Sequence, residues 1–265
     1  MSDFERNRRA WDASSDAYQE RHGAQLARRP DAWGIWSLPE AELQILGDVE
    51  GKDVLEYGCG AAQWAIALSL RGARVVGLDN SARQLAYAQA AVAAAGVDVR
   101  LVHAPAEHTP FADASFDVVF CDHGAMSFAS PDLTIPEVAR ILRPGGILAF
   151  NVEHPLHAAT WDDAADGPSR ALHHAYFDLD RIDDPADGSV NFARPISGYV
   201  TLLEANGFVL ERLLEPRPEP EAETTYFGFA ESTWARDFPA ELLLRARLRH
   251  PERLYRTKFP RNFGR

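Results

Sequence analysis

The run Val54-Leu55-Glu56-Tyr57-Gly58-Cys59-Gly60-Ala61-Ala62, continued by Gln63-Trp64-Ala65-Ile66-Ala67-Leu68, constrains the chain more than any other stretch. Val54 and Leu55 read as a buried strand, Gly58 and Gly60 as a tight turn, and the residues after them as a helix. Glycine suits such a turn because it reaches backbone angles closed to other residues and lets a ligand approach the main chain closely. Ile66, Ala67 and Leu70 return at helical spacing, which predicts a helix packed on a sheet. The turn supplies two glycines of a dinucleotide-type fingerprint, with Ala62 following.

A regular alternation continues from there. Residues 74–78 read as the second strand, ending at Asp79, and residues 81–95 as a helix with Ser81 as N-cap and Gly96 as its stop. Residues 97–102 and 116–121 are the third and fourth strands, and a helix over 134–142 leads through Arg143-Pro144-Gly145-Gly146 into a fifth, 147–152. A helix over 195–206 and strands over 208–214 and 240–246 complete the series. Alternating strands and helices predict a doubly wound α/β fold, a mostly parallel seven-stranded sheet with right-handed crossovers and helices on both faces.

Three segments fall outside the rhythm. Residues 1–51 are expected to form an N-terminal helical cap, with a helix over 4–21 that sets Phe4, Trp11 and Tyr18 seven residues apart on one face. Trp33-Gly34-Ile35-Trp36 follows, then a helix opened by Pro39. These tryptophans suit a lid over a flat ligand or the packing that fastens cap to core, and packing is the preferred reading. Residues 155–193, carrying Trp161, His173-His174 and Tyr176-Phe177, are too long for an ordinary connection and read as a lid insertion within a main domain of 52–248. Residues 249–265 read as a basic, solvated tail.

Composition limits the function classes. A chain of 265 residues, 46% of them hydrophobic, can bury one large core and is not a disordered polymer. Its formal net charge of −12 argues against a nucleic-acid partner, which would need a broad basic face. The two cysteines, Cys59 and Cys121, form neither a disulfide framework nor a metal-binding spacing, and read as buried small hydrophobes in a reducing compartment. Without an apolar leader or a membrane-length apolar window, a cytoplasmic protein with no membrane partner is expected. Asp162-Asp163 and Asp183-Asp184 read as solvated surface, and no metal is expected.

Asp79 gives the glycine turn its meaning. It stands at the end of the second strand, roughly 20 residues past the turn, where a carboxylate can accept from both hydroxyls of a ribose. It could also simply cap the next helix with Asn80 and Ser81; the spacing favours ribose. Five pieces then occur in one order: Val54 to Gly60, Val76-Gly77-Leu78-Asp79-Asn80-Ser81, Ala106-Glu107-His108-Thr109-Pro110-Phe111, Ser115-Phe116-Asp117-Val118-Val119, and Glu137 to Gly146. On these the chain resembles the class I S-adenosylmethionine-dependent methyltransferases that act on small molecules, enzymes of Rossmann-like fold. The Trp33-Gly34-Ile35-Trp36 run and Asp122-His123-Gly124-Ala125-Met126 resemble one subgroup of them.

The resemblance implies an S-adenosylmethionine site in which Gly58 and Gly60 receive the cofactor and Glu56 orients the turn. Asp79 would hold the ribose hydroxyls, Asn80 and Gln84 would flank ribose and adenine, and Ala106 and Glu107 would line the adenine edge. Cys121 and Asp122 would bring main chain beside the methionine part, and Tyr18, His22 and Trp36 would cover the cofactor from the cap. In this family the residue before Ala106 is often an aspartate that accepts from the adenine amino group. Here it is Pro105, so that contact is lost or supplied otherwise, for instance by Glu107.

Methyl transfer from a sulfonium is an in-line displacement with an activated leaving group, so alignment and exclusion of water do most of the work. A hydroxyl acceptor also benefits from a base, and His123 and His154 both follow strand ends where open α/β sheets bind ligands. The implied activity is O-, N- or C-methylation of a small acceptor, and the aromatic residues suggest an aromatic or apolar one. A nicotinamide-dependent oxidoreductase shares the glycine turn and the acid, but the Phe116-Asp117 strand and the turn at 143–146 favour methyl transfer. A non-catalytic cofactor-binding module is the third reading.

Overall fold

The computed structural model describes residues 1–250 apart from 220 and 231. Seven strands form one sheet: β1 (Asp53–Tyr57), β2 (Arg74–Asp79), β3 (Val99–His103), β4 (Phe116–Asp122), β5 (Leu142–Glu153), β6 (Phe208–Leu214) and β7 (Glu241–Leu248). Their order is β3-β2-β1-β4-β5-β7-β6. The pairs within β3-β2-β1-β4-β5 are parallel, whereas β7 runs antiparallel to both β5 and β6. The chain winds outward from β1 to β3 and returns to the other side of β1 as β4. That reversal leaves a crevice beyond the carboxyl ends of β1 and β4.

Both faces of the sheet are covered, so its central strands are apolar throughout rather than alternating. Leu55, Tyr57, Val119, Cys121, Leu148 and Phe150 enter one core, and Val54, Val118, Phe120, Ile147 and Ala149 enter the other. The surrounding helices are α1 (Asp3–Arg28), α2 (Gln63–Leu70), α3 (Ala82–Ala95), α4 (Pro131–Ile141), α5 (Pro155–Thr160) and α6 (Ile196–Ala205). No helix among the described residues is long and apolar enough to cross a membrane.

Helix α1 extends well past the 4–21 expected, because nothing breaks it before Pro30. It docks through polar contacts: Ser81 Oγ donates to Asp12 at 2.7 Å, Arg83 pairs with Asp16 at 2.6 Å, and the Tyr87 hydroxyl donates to Asp16 at 2.8 Å. The aromatic run after it is packing. Trp33 is buried against Trp64 and Phe120, and its Nε1 donates to Glu40 at 2.8 Å. The buried Glu40 carboxylate also accepts from the backbone of Ile45, Leu46 and Gly47, which fixes this segment under the sheet edge.

The insertion after β5 contains α5, a single 3-10 turn and two short ladders. One ladder, 182–183 with 190–191, is fastened to α1: the Asn7 amide donates to Val190 O at 2.9 Å, and Val190 N donates to Asn7 Oδ1 at 2.6 Å. Asp183 is exposed, as the sequence suggests, and binds Arg6 and Arg181 as a surface ion-pair anchor. Of the basic tail, residues 251–265 lie outside the described residues.

Candidate active site

A cleft enclosing about 950 Å³, part of it open to solvent, occupies the crevice beyond β1 and β4. The aromatic face of α1, Phe4, Trp11 and Tyr18, forms its roof together with Phe128. Of the residues expected at the site, Tyr18, Glu56, Gly58, Gly60, Asp79, Asn80, Gln84, Ala106, Glu107, Asp122 and His123 line this cleft. His22, Trp36, Cys121 and His154 do not.

The glycine turn is built for close approach. Gly58 has φ 88°, and a Cβ there would overlap the Ala125 nitrogen. Gly60 has φ 51°, and a Cβ there would meet only Gln84 Oε1, at 3.7 Å, leaving the space beyond it for a ligand. Asp79 does two things at once. Its Oδ1 accepts from Ser81 N and its Oδ2 from Gly60 N, each at 2.8 Å, so it ties the turn to the start of α3 while facing the cleft. Burial raises its pKa against those two donors. Glu56 Oε2 accepts from Ala65 N at 2.8 Å, and burial pushes this carboxyl well above its ordinary range.

Gln84 is the most informative side chain of the wall. Its Oε1 accepts from Gln19 of α1 at 2.9 Å, while its Nε2 is buried without a hydrogen-bond partner. A buried amide donor left unpaired is costly, and it marks a place where a ligand acceptor is wanted. Asn80 lines the cleft, and its amide also donates to Phe4 O at 2.7 Å and holds the cap. Beyond it, the Tyr57 hydroxyl donates to Ala106 O, and Glu107, its pKa raised by burial, faces the cleft while Pro105 does not.

At the other end of the cleft stands a polar cluster with His123. Its Nε2 lies 2.6 Å from Oε1 of Glu241, a residue only 1% exposed at the start of β7. The same oxygen accepts from Ile35 N at 3.0 Å and from the Asn151 amide at 2.8 Å. Asn151 donates also to Asp122, which accepts from Gly34 N. Burial opposes a charged imidazole, but the hydrogen bond and charge of Glu241, with Asp122 and Glu153 nearby, outweigh it and raise the His123 pKa. Glu241 and Asn151 were not singled out from sequence. Each interrupts a local apolar run, Ala240-Glu241-Leu242-Leu243 and Ala149-Phe150-Asn151-Val152, and that break in pattern was the available signal.

Four expected site residues are placed elsewhere, each for a local reason. His22 stacks on Tyr226 with centroids 3.9 Å apart and shares a 2.7 Å hydrogen bond with Thr225; burial lowers its pKa to about 4. Trp36 sits in a satellite core with Ile35, Trp234 and Ala240. The Cys121 thiol turns inward, accepts from Gly124 N and Met126 N, and is pushed by burial to about 12. His154 caps α5, its Nδ1 accepting from Leu156 N at 3.0 Å, while its Nε2 lies 3.0 Å from Glu215.

With that geometry described, comparison with known proteins gives a consistent result. Residues 55–150 match the family described as a methyltransferase domain. A fatty-acid O-methyltransferase of Mycolicibacterium smegmatis is 35% identical over 129 residues, 47% of this chain and 46% of that one. A demethylmenaquinone methyltransferase of Bacillus velezensis is 33% identical over 108 residues, covering 39% and 46%. The chain thus spans about half the length of these curated relatives. Among solved structures, an S-adenosylmethionine-dependent methyltransferase of Mesorhizobium loti aligns with TM-score 0.65 and 25% identity, over 78% of this chain and 95% of that one.

Proposed function

Since the chain belongs to the class I S-adenosylmethionine-dependent methyltransferases through its domain at residues 55–150, we propose that it transfers a methyl group from that cofactor to a small organic acceptor. The observation that carries the reading is the convergence of Asp79, Gly60 and the unpartnered Gln84 Nε2 on one wall of the cleft. A carboxylate beside a side-chain-free turn suits a ribose diol, and a buried amide donor suits an acceptor on the ribose or adenine. Glu107 is the acid at the adenine edge, in the part that the aspartate before Ala106 takes in related enzymes. When bound, the cofactor supplies a methyl group on sulfur with a leaving group already activated.

What the chain itself must do is orient and dry the site. The α1 roof and Phe128 cover part of the cleft, and their aromatic faces favour an acceptor with an apolar or aromatic body. A second groove, between α1 and residues 184–191, shares Trp11, Tyr18 and Phe128 with the cleft, and we read it as the acceptor's route. The relatives named for fatty acid and demethylmenaquinone support an acceptor of that character. Isothermal titration with S-adenosylmethionine and with NAD tests the reading. Binding of the first is expected, weakened about 10- to 100-fold in Asp79→Ala by loss of charge-assisted hydrogen bonds of ~1.5–3 kcal/mol. Binding of NAD alone would refute it. Release of S-adenosylhomocysteine over a panel of acceptors then identifies the substrate class.

A further inference from the structure

We propose that His123 is the general base of this methyl transfer, that Glu241 is the positioning residue that sets its tautomer, and that the acceptor is a phenol, enol or alcohol whose O–H must lose a proton. This rests on the methyl-transfer reading above and goes further by assigning a relay and an acceptor class. A molecule whose nucleophilic oxygen is already ionised, such as a carboxylate, needs no such apparatus.

One carboxylate oxygen organises the cluster. Glu241 Oε1 receives Ile35 N–H from the segment before the sheet, the Asn151 amide from β5, and His123 Nε2 from the end of β4. Three elements thus hold it in place. A carboxylate only accepts, so the imidazole nitrogen facing it carries hydrogen, and in the neutral ring the lone pair resides on Nδ1. That nitrogen makes no hydrogen bond among the described residues, and the side chain, 26% exposed, is part of the cleft wall. A base needs this arrangement: one nitrogen anchored, the other open to the ligand.

The backbone adds a second, independent observation. His123 has φ 50°, a left-handed conformation that a non-glycine residue holds at a cost of roughly 1–2 kcal/mol. The conformation is fixed by His123 N–H donating to Asn151 O at 3.0 Å, so Asn151 secures both the backbone and the partner carboxylate. Strain of this kind persists only where the surroundings enforce it, and it concentrates at functional sites. Phe229 meets the ring edge-on at 5.8 Å, and its carbonyl is held by His157 Nε2 at 2.6 Å, which limits ring rotation.

The step balances simply. An acceptor O–H gives its proton to Nδ1, an oxygen lone pair forms the new bond to the methyl carbon, and the carbon–sulfur pair departs to sulfur. The sulfonium charge is thereby replaced by the imidazolium charge, which Glu241 stabilises until the proton leaves to solvent. The titratable groups facing the ring are Glu241 from β7, Asp122 from β4 and Glu153 from β5, with Tyr18 of α1 and Tyr226 near Asp122. Carboxylates dominate this set, so the basic form of His123 accumulates as pH rises past its raised pKa.

Two measurements on the full-length chain test the proposal. Nitrogen-15 NMR of labelled histidine should show neutral His123 protonated at Nε2, with a titration midpoint that falls in Glu241→Gln, where the charge is lost but the Oε1 acceptor remains. A wild-type ring protonated at Nδ1, or a midpoint that Glu241→Gln leaves in place, would overturn it, and neither result requires a known acceptor. In turnover assays with phenol, alcohol and carboxylate acceptors, kcat should rise with pH along one limb. His123→Ala should remove that limb and about 100-fold or more of the rate, and Glu241→Gln should shift the limb to lower pH. Methylation confined to the carboxylate, or unchanged pH profiles in both variants, would also overturn it. Cofactor titration of each protein is run in parallel: a wild type that binds no S-adenosylmethionine defeats the methyl-transfer reading, whereas normal binding with an indifferent His123 defeats the relay alone.

Discussion

Consider Gly58→Ala beside Gly60→Ala, two methyl groups added two residues apart. Gly58 holds φ 88°, and its N–H donates to Leu78 O at 2.8 Å, so the turn cannot change conformation without releasing β2. The new Cβ would overlap Ala125 N and stand 2.9 Å from Gly124 C and Cα. All three are main-chain atoms of the turn that carries His123 into the short helix Ala125–Phe128, and main chain cannot swing aside. The left-handed backbone costs roughly 1–2 kcal/mol and forced overpacking another 1–3, so about 3 kcal/mol in total is expected. At ~2–4 °C per kcal/mol for a domain of this size, the melting temperature falls by roughly 6–12 °C.

Gly60→Ala behaves differently. Its only near neighbour, Gln84 Oε1 at 3.7 Å, is at ordinary contact distance, so the fold loses only the backbone term, about 1 kcal/mol and roughly 2–4 °C. The methyl instead enters the cleft beside Gln84, and cofactor affinity should drop about 10-fold or more, ~1.4 kcal/mol. Thermal melts and isothermal titration of the two variants separate the effects. A Gly58→Ala protein that melts with the wild type, or a Gly60→Ala protein that binds S-adenosylmethionine as the wild type does, would refute these assignments.

Further outcomes follow from charge and docking. Burial raises the carboxyl pKa values of Glu56, Asp79 and Asp122 in the folded protein, so the folded state binds more protons than the unfolded one just above the ordinary carboxylate range. Their contribution to the stability of the ligand-free protein is therefore present below that range and lost as pH rises through the folded pKa values, whereas the lowered pKa of His22 acts the other way at mildly acidic pH; the melting temperature of the wild type relative to Glu56→Gln should fall from pH 5 to 8, and a constant difference would contradict the assignment. Arg83→Ala removes the exposed contact to Asp16 that helps hold α1. Little change in melting temperature is expected, but cofactor exchange should quicken, and stopped-flow tryptophan fluorescence reporting Trp11 would show an unchanged rate if the contact plays no part in holding the cap.

The sheet was legible because its evidence is local: apolar runs of strand length, turn glycines, and Ser81 and Gly96 at the ends of a helix. The insertion of β7 between β5 and β6 was not, since antiparallel pairing across about 90 to 100 residues leaves no mark in either strand (Leu243 opposes Asn151). His123 and His154 look alike in sequence, each one or two residues past a strand. Only the fold distinguishes them, because His154 is followed by a helix whose first turn needs a cap, whereas His123 is followed by Gly124 and a left-handed bend toward the cleft. Asn80 was placed beside ribose and adenine by the resemblance, and it does line the cleft. Its short amide also reaches Phe4 O, a partner 76 residues away that no local pattern announces.

The stripe Phe4, Trp11 and Tyr18 shows what pattern alone leaves open. Seven-residue spacing establishes that the three share a face, but an apolar face can meet a core or a cavity, and here it meets the cleft. All three remain only partly buried, while much of the attachment of α1 to the domain is polar, through Asn7, Asp12, Asp16 and Gln19 with the Asn80 bond to Phe4 O. Polar attachment at the rim is readily exchanged with water, whereas aromatic surface over a cavity gains burial only when something fills it. A ligand in the cleft therefore completes the core of its own cap. Among those attachments, Gln19 is bonded to a buried amide whose other end lacks a partner, which places Gln84 between ligand and cap as the contact through which occupancy is felt by α1.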